Sequence, residues 1–224
     1  RNVSPLAFQD IIDLEGENLL ESKLGPAIVY DTRNSRFLPE KGTLLAITPS
    51  ISGGPLGGDV DVGFFRVNFV QYQNVGEKFR LRLLKKLVWS YGAEARYVDA
   101  FEGSLPAFRR LYLSGNRVVR GFDRDDLGPV DQSGEAIGGL SSARFFTQII
   151  HPFFGLTRLV AFLDAGNVWE RHDAFDISDL RWGGGFGVRV ITPIGPVRID
   201  IGYKLDKKTG ERPREVHFGI GASF

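Results

Sequence analysis

Two short stretches carry the side chains with the most pointed chemistry. Val119-Arg120-Gly121-Phe122 sets one arginine beside a glycine, and Phe162-Leu163-Asp164-Ala165-Gly166 sets one aspartate among apolar and small neighbours. What such a pair can do is hold. A guanidinium presents a planar fork that grips a carboxylate through two bonds, and an ionised aspartate in a partly dry interior needs a cationic partner. Residues suited to catalysis are missing. His151, His172 and His217 are far apart and have no ligand spacing, so no metal is expected. Gly183-Gly184-Gly185-Phe186-Gly187 lacks the lysine and following helix of a phosphate loop, and no Gly-x-Ser-x-Gly elbow occurs. The expectation is a non-enzyme with no cofactor. Taken alone, each motif reads as a solvated side chain: an exposed loop arginine and an aspartate in water.

The elements around the motifs change that reading. Arg120 lies in a long connection, residues 106–135, with no regular pattern of its own. Connections that long are usually functional or disordered. Leu111, Tyr112, Leu113, Val118, Val119 and Phe122 give this one the apolar weight that disordered tracts lack, so it should pack into something. The flanking sequence alternates with period two. Strands are expected over 27–30, 43–52, 60–73, 79–97, 137–152, 156–169, 182–193, 196–205 and 215–224, with a hairpin turn at Gly195-Pro196 and an exposed loop at 207–211. Residues 1–23 form an N-terminal segment of uncertain structure, and residues 24–224 one barrel-like domain. On the strand 156–169, Leu159, Leu163 and Trp169 should face one way, and Phe162, Asp164 and Gly166 the other.

The alternation sets a continuous apolar and aromatic face against a face of charge and glycine. Val197, Ile199, Ile201, Tyr203 and Leu205 oppose Arg198, Asp200 and Lys204; Val216, Phe218 and Ile220 oppose His217, Gly219 and Gly221. A soluble sandwich buries the apolar face and wets the charged one; a membrane barrel turns the apolar face to lipid and encloses the charge. Local alternation fits both. Three features favour an all-β, transmembrane antiparallel barrel. Strands run near 10 residues, aromatics fall near strand ends (Trp89, Tyr97, Trp169, Trp182, Tyr203, Phe224), and the sequence finishes on an aromatic at a strand end. The enclosed face then carries Arg66, Arg80, Arg82, Lys86, Arg96, Arg144, Arg189, Arg198 and Lys204 against Glu94, Asp164 and Asp200, a lumen that would favour anions if it conducted. A net charge of +1 gives no bulk-charge argument for nucleic acid, and none is expected as a partner. The absence of cysteine removes disulfides and thiolate metal sites. No apolar run is long enough for a membrane helix, which says nothing against barrel strands.

Both motifs together, in this order before a final strand ending in Phe224, resemble the outer-membrane assembly-factor superfamily of the BamA/TamA type, also called the bacterial surface antigen family. The resemblance covers residues 24–224. It implies a 16-stranded barrel, of which about nine or ten strands lie here, and a sixth extracellular loop folded inward. The loop's Val-Arg-Gly-Phe tip, here Val119 to Phe122, is implied to dock on Phe162, Asp164 and Gly166, with Phe122 wedged beside Phe162. The turn at Thr192-Pro193-Ile194-Gly195-Pro196 resembles a family hairpin, and Tyr30-Asp31-Thr32-Arg33 with 37–42 an earlier one. His217 to Phe224, including Phe218 and Gly219, resembles the closing strand and sorting signal, with Gly221 at its kink. One position departs: Arg144 stands where an inward acid often meets the loop arginine, so Asp164 must serve both cations, or Asp123, Asp125 or Asp126 must help. The resemblance implies insertion or translocation of outer-membrane proteins through a lateral seam, in a bacterial or organelle outer membrane. Implied partners are the lipid bilayer, unfolded client or passenger proteins, periplasmic repeat domains or accessory lipoproteins, and a second chain if one is needed to complete the barrel. A pore, or an anchor for an upstream domain, is the competing reading.

Overall fold

The computed structural model describes residues 21–76, 84–101, 103, 105–115, 118–123, 126–193 and 195–221. Ten strands form one antiparallel sheet: β1 (Lys23–Leu24), β2 (Ile28–Asp31), β3 (Gly42–Ser52), β4 (Val62–Asn74), β5 (Val88–Ala100), β6 (Ser141–Pro152), β7 (Thr157–Trp169), β8 (Arg181–Thr192), β9 (Gly195–Lys204) and β10 (Arg214–Ile220). From β3 onward each strand pairs with the next in sequence, while β1 and β2 both pair with the far edge of β3. Most strands from β3 to β9 are 11 to 13 residues long, long enough to cross a bilayer at a tilt. No described helix is long and apolar enough to cross a membrane, which says nothing of strands.

The exposure pattern separates the two readings that alternation left open. On β9, Asp200 is 0% exposed and Arg198 8%, whereas Ile199 is 50% and Ile201 42% exposed. Charge is inside and apolar surface outside, the reverse of a sheet folded for water. Among the described residues no second sheet covers that outer face. Exposed Phe145, Leu159, Leu163, Phe186, Ile199, Ile201, Val216 and Phe218 form an apolar belt fit for lipid. The inner face is filled by small apolar clusters and by the connection from β5 to β6, residues 101–140. Leu113, Val119, Phe122 and Leu127 of that connection pack together with Val168 of β7.

Four expectations need correction. The stretch 79–97 is not one strand: Leu84 to Lys86 turn, Leu87 N–H donates to Leu84 O at 3.0 Å, and β5 starts at Val88. Leu83-Leu84-Lys85-Lys86 breaks the period of two, so no single register can hold it as a strand. Lys86 therefore lies exposed in the turn before β5 rather than on a strand, and Arg80 and Arg82 lie outside the described residues. The turn after β8 comes before Gly195-Pro196, which both belong to β9, because Thr192 pairs with Gly195, and Thr192 Oγ1 donates to Gly195 O at 2.6 Å. The strand expected from residue 137 begins at Ser141, since Gly139 bridges to Leu111 and Leu140 donates to Trp169 O instead. Trp169 is not a lipid-facing belt residue. It is buried with Ala143, Ala165 and Leu180, and Phe175 lies 4.6 Å from its ring, so the segment after β7 covers it.

Candidate functional site

The tip of the long connection is a tight turn in which Phe122 N–H donates to Val119 O at 3.1 Å. Gly121 occupies its third position at φ +110°, a backbone conformation that side chains disfavour. The turn projects Arg120 onto the wall of the sheet. Arg120 is 3% exposed and Asp164 0%. Arg120 Nε donates to Asp164 Oδ2 at 2.8 Å and Nη2 to Oδ1 at 2.7 Å, a bidentate grip. The Arg120 backbone N–H adds a third bond to Oδ2 at 3.1 Å. The guanidinium stacks on the Phe162 ring at 3.6 Å from its centroid. Phe162 and Asp164 point the same way because they are two residues apart on β7.

Several neighbours of this pair were not foreseen as its partners. Gln148 of β6 accepts from Arg120 Nη1 at 3.3 Å and from Arg189 Nη2 at 2.8 Å. Asp200 of β9 forms an ion pair with Arg120 Nη1 at 3.5 Å. The conflict posed by Arg144 is settled by sharing: Arg144 Nη2 sits 3.6 Å from Asp164 Oδ2, while Glu94 lies opposite Arg144 in register. Asp126 turns to Lys204 Nζ at 2.7 Å instead, Asp123 is exposed, and Asp125 lies outside the described residues. Arg66 Nε donates to Glu94 at 2.8 Å, with Arg96 Nε 3.4 Å from the same carboxylate.

Glycines clear the floor on which the tip rests. A methyl group at Gly183 would lie 2.0 Å from Arg120 O, and one at Gly202 would lie 2.3 Å from Gly121 N. At Gly166 it would lie 2.8 Å from Val119 Cγ2. A sequence signal for this existed. Gly202 shares one row across the sheet with Gln148, Phe162 and Gly185, all on inward positions where a large side chain would otherwise fill the lumen. Phe122 is fully buried with Leu113, Val119, Leu127 and Val168, and the guanidinium, not Phe122, covers Phe162. Arg181 and Lys204 lie 4.8 and 5.3 Å from the Phe122 ring. Arg181 also holds Glu211 through bonds of 3.0 and 2.8 Å, which lowers the Glu211 carboxyl to about 2. The exposed loop at 207–211 is thus pinned at one end.

Arg189 and Arg198 face inward from β8 and β9. At the end of the sheet, Phe218 faces outward and Gly219 inward, where Arg198 occupies the space a side chain would take. Gly219 lies in a regular ladder opposite Arg198. Gly221 departs from it at φ +93° while its N–H still donates to Pro196 O at 2.8 Å. Phe224 lies outside the described residues. The tip also reaches β10, where Gly121 N–H donates to His217 Nε2 at 3.0 Å. In sum, the arrangement holds one loop against five successive strands, β6 to β10.

Residues 2–224 match the Omp85 superfamily domain. Outer membrane protein assembly factor BamA of Nitratidesulfovibrio vulgaris is 30% identical over 225 residues, covering 97% of this chain and 27% of that protein. The sorting and assembly machinery component 50 homolog of Homo sapiens is 29% identical over 238 residues, covering 94% of this chain and 47% of that protein. The chain therefore spans between about a quarter and a half of the length of these relatives. The crystal structure of BamA from Haemophilus ducreyi lacking POTRA domains 1–3 superposes with a TM-score of 0.72 at 20% identity, over 90% of this chain and 42% of that one, a likeness of fold. With charge inside, apolar surface outside and a family match along nearly its whole length, this chain belongs to the Omp85 superfamily, as an outer-membrane β-barrel of the BamA/TamA type.

Proposed function

We propose that this barrel inserts outer-membrane proteins, or moves them across the membrane, through a lateral seam at β10, with the inward loop bracing the wall against which the seam opens. The observation that carries this reading is the contrast between two attachments. β7 is clamped by the buried Arg120–Asp164 pair, whereas β10 is only seven residues long, carries a glycine inward at Gly219 and leaves its ladder at Gly221 with φ +93°. A short closing strand that opens exposes an edge that can template an incoming strand by β-augmentation. In this reading residues 24–224 act as one barrel domain. Further strands, from the same polypeptide or a second chain, complete the circumference, and unfolded barrel proteins are the clients, delivered with the help of periplasmic repeat domains or accessory lipoproteins.

An anion-selective pore accounts less well for the interior. The lumen is occupied by the loop and its cluster of Leu113, Val119, Phe122 and Leu127. The test uses the absence of native cysteine. A cysteine pair joining β10 to the strand it meets across the seam should fold normally in liposomes and stop insertion of a client barrel, with recovery on reduction. A locked barrel that inserts clients as fast as the reduced one would refute the lateral seam.

A further inference from the structure

Gly121 adjoins the arginine that grips β7, yet its own backbone N–H points to a different strand, donating to His217 Nε2 of β10 at 3.0 Å. We infer that His217 is a positioning residue that ties the loop tip to the closing strand, so that β10 cannot leave β9 without also breaking its bond to the loop tip. The consequence for gating rests on the lateral seam proposed above, but the tie can be measured without any client.

Three observations carry the inference. The first is the turn. With Gly121 at φ +110° and Phe122 N–H already bonded to Val119 O, the Gly121 N–H faces away from the loop. The second is the lack of room. Gly121 is buried, and its nitrogen packs so closely on Gly202 that even a methyl group there would lie 2.3 Å from it. A buried amide needs an acceptor, and His217 supplies it. The third is the chemistry of the acceptor. Nε2 accepts only when it carries no proton, so the ring must be neutral with its hydrogen on Nδ1. The charged groups around the ring are Asp200 and Arg198 from β9, Arg120 from the loop and Asp164 from β7, and Asp200 is the residue directly opposite His217 in the ladder. An aliphatic residue at 217 would continue the strand but leave the amide stranded.

The experiment uses the intact protein in bilayers. With nitrogen-15 in glycine and histidine, magnetic resonance should show a through-hydrogen-bond coupling between Gly121 N and His217 Nε2, with Nε2 unprotonated. No coupling, or a proton on Nε2, overturns the tie. His217→Leu removes the acceptor, whereas His217→Gln offers Oε1 near the same place. In His217→Leu the Gly121 amide should exchange about tenfold faster or more, the equivalent of one lost buried hydrogen bond, and the β10 amides bonded to β9 should speed up with it while those of β7 do not. His217→Gln should behave like the natural protein. Faster exchange at Gly121 with β10 unchanged overturns the inference, as does a glutamine variant that behaves like leucine. If the leucine variant does not fold, the coupling in the natural protein decides. A tie present in a barrel that inserts no client would refute the seam and leave His217's role standing.

Discussion

Removing Asp164 should destabilise the barrel more than removing Arg120, although each is the other's main partner. Arg120→Ala deletes two charge-assisted bonds of 2.7 and 2.8 Å, a longer one to Gln148, and a stack on Phe162. It leaves Asp164, which has no solvent contact, with Arg144 still 3.6 Å away. Breaking a buried pair from one side costs about 3–5 kcal/mol, and the remaining cation offsets part of that, so about 2–4 kcal/mol is expected. Asp164→Ala has less relief, because Asp200, 3.5 Å from Arg120, is then left among several cations. It strips the carboxylate from beneath Arg120 and Arg144, beside Arg189 and Arg198, and leaves Asp200 as the one acid of β7–β9 in that cluster. Like charges held together with little water raise the cost to the top of the same range, about 4–5 kcal/mol. The double mutant should cost less than the sum by more than about 1 kcal/mol. Arg144→Gln, mildly harmful alone, should recover part of the loss in the Asp164→Ala background by removing one of the stranded cations. Arg120→Lys should fall between the natural protein and Arg120→Ala, because an ammonium keeps one charge but neither the fork nor the flat stack.

The assay is urea unfolding in phospholipid vesicles, read by tryptophan fluorescence and by the band shift of folded barrels. Equal losses for the two alanines, a reversed order, or additive losses in the double mutant would refute the idea that Asp164 neutralises more than one cation.

Three further outcomes are expected. Gly183→Ala and Gly202→Ala should each destabilise the barrel by about 1–3 kcal/mol, because the added methyl meets loop backbone that cannot yield; Gly184→Ala, whose nearest neighbour would be a flexible leucine end at 3.4 Å, is the control, and limited proteolysis should show the loop loosened only in the first two. Ile201→Arg on the outer face should cost about 2–4 kcal/mol if the residue lies near the bilayer midplane, measured by the same unfolding in vesicles. Glu211 has its carboxyl depressed to about 2 by Arg181, so its contribution is complete above its unfolded value of about 4.3 and fades as pH falls toward 2. The stability gap between the natural protein and Glu211→Gln should therefore be constant from pH 7 to about 5 and shrink below that; a gap that grows on acidification would reverse the assignment.

How much was legible in the sequence depended on whether a residue acts through a period or through a place in space. The strands from 141 to 204 could be read because period-two alternation is local, as in Ile199 and Ile201 against Arg198 and Asp200. Alternation left their inside-out burial open, because it has the same form whichever face is wet; strand length and aromatics near strand ends tilted the reading to a membrane barrel. The pairing of Arg120 with Asp164 rested on a family resemblance; spacing alone favoured two solvated side chains. The roles of Gln148 and His217 were not legible, since they lie 28 and 96 positions from the loop residues they bond; His217 was read only as the start of the closing strand. Gly183 and Gly202 were visible only as small inward residues, whose purpose emerges when the loop backbone lies on them. The error over 79–97 came from tolerating Leu83-Leu84-Lys85-Lys86 inside an alternating run, where two broken steps already excluded a single strand.

The distribution of bonds from the loop tip bears on how a barrel can be both braced and able to open. At β7 the tip makes three bonds to one carboxylate, two of them charge-assisted side-chain bonds with an aromatic ring beneath. At β8 it rests backbone against Gly183, and at β9 it lies against Gly202 and adds the Arg120–Asp200 ion pair at 3.5 Å. At β10 it makes one bond from a neutral donor to a neutral ring nitrogen, of the kind whose net contribution is about 1 kcal/mol. The hold is thus strongest at β7, is supplemented by an ion pair at β9, and falls to one neutral bond at β10. A uniform clamp would leave every strand equally hard to move. In the seam proposed above, this uneven one would let β10 detach for the loss of a single weak bond to the tip, together with its ladder to β9, while the arginine keeps the loop and β7 in place for the strand to return to.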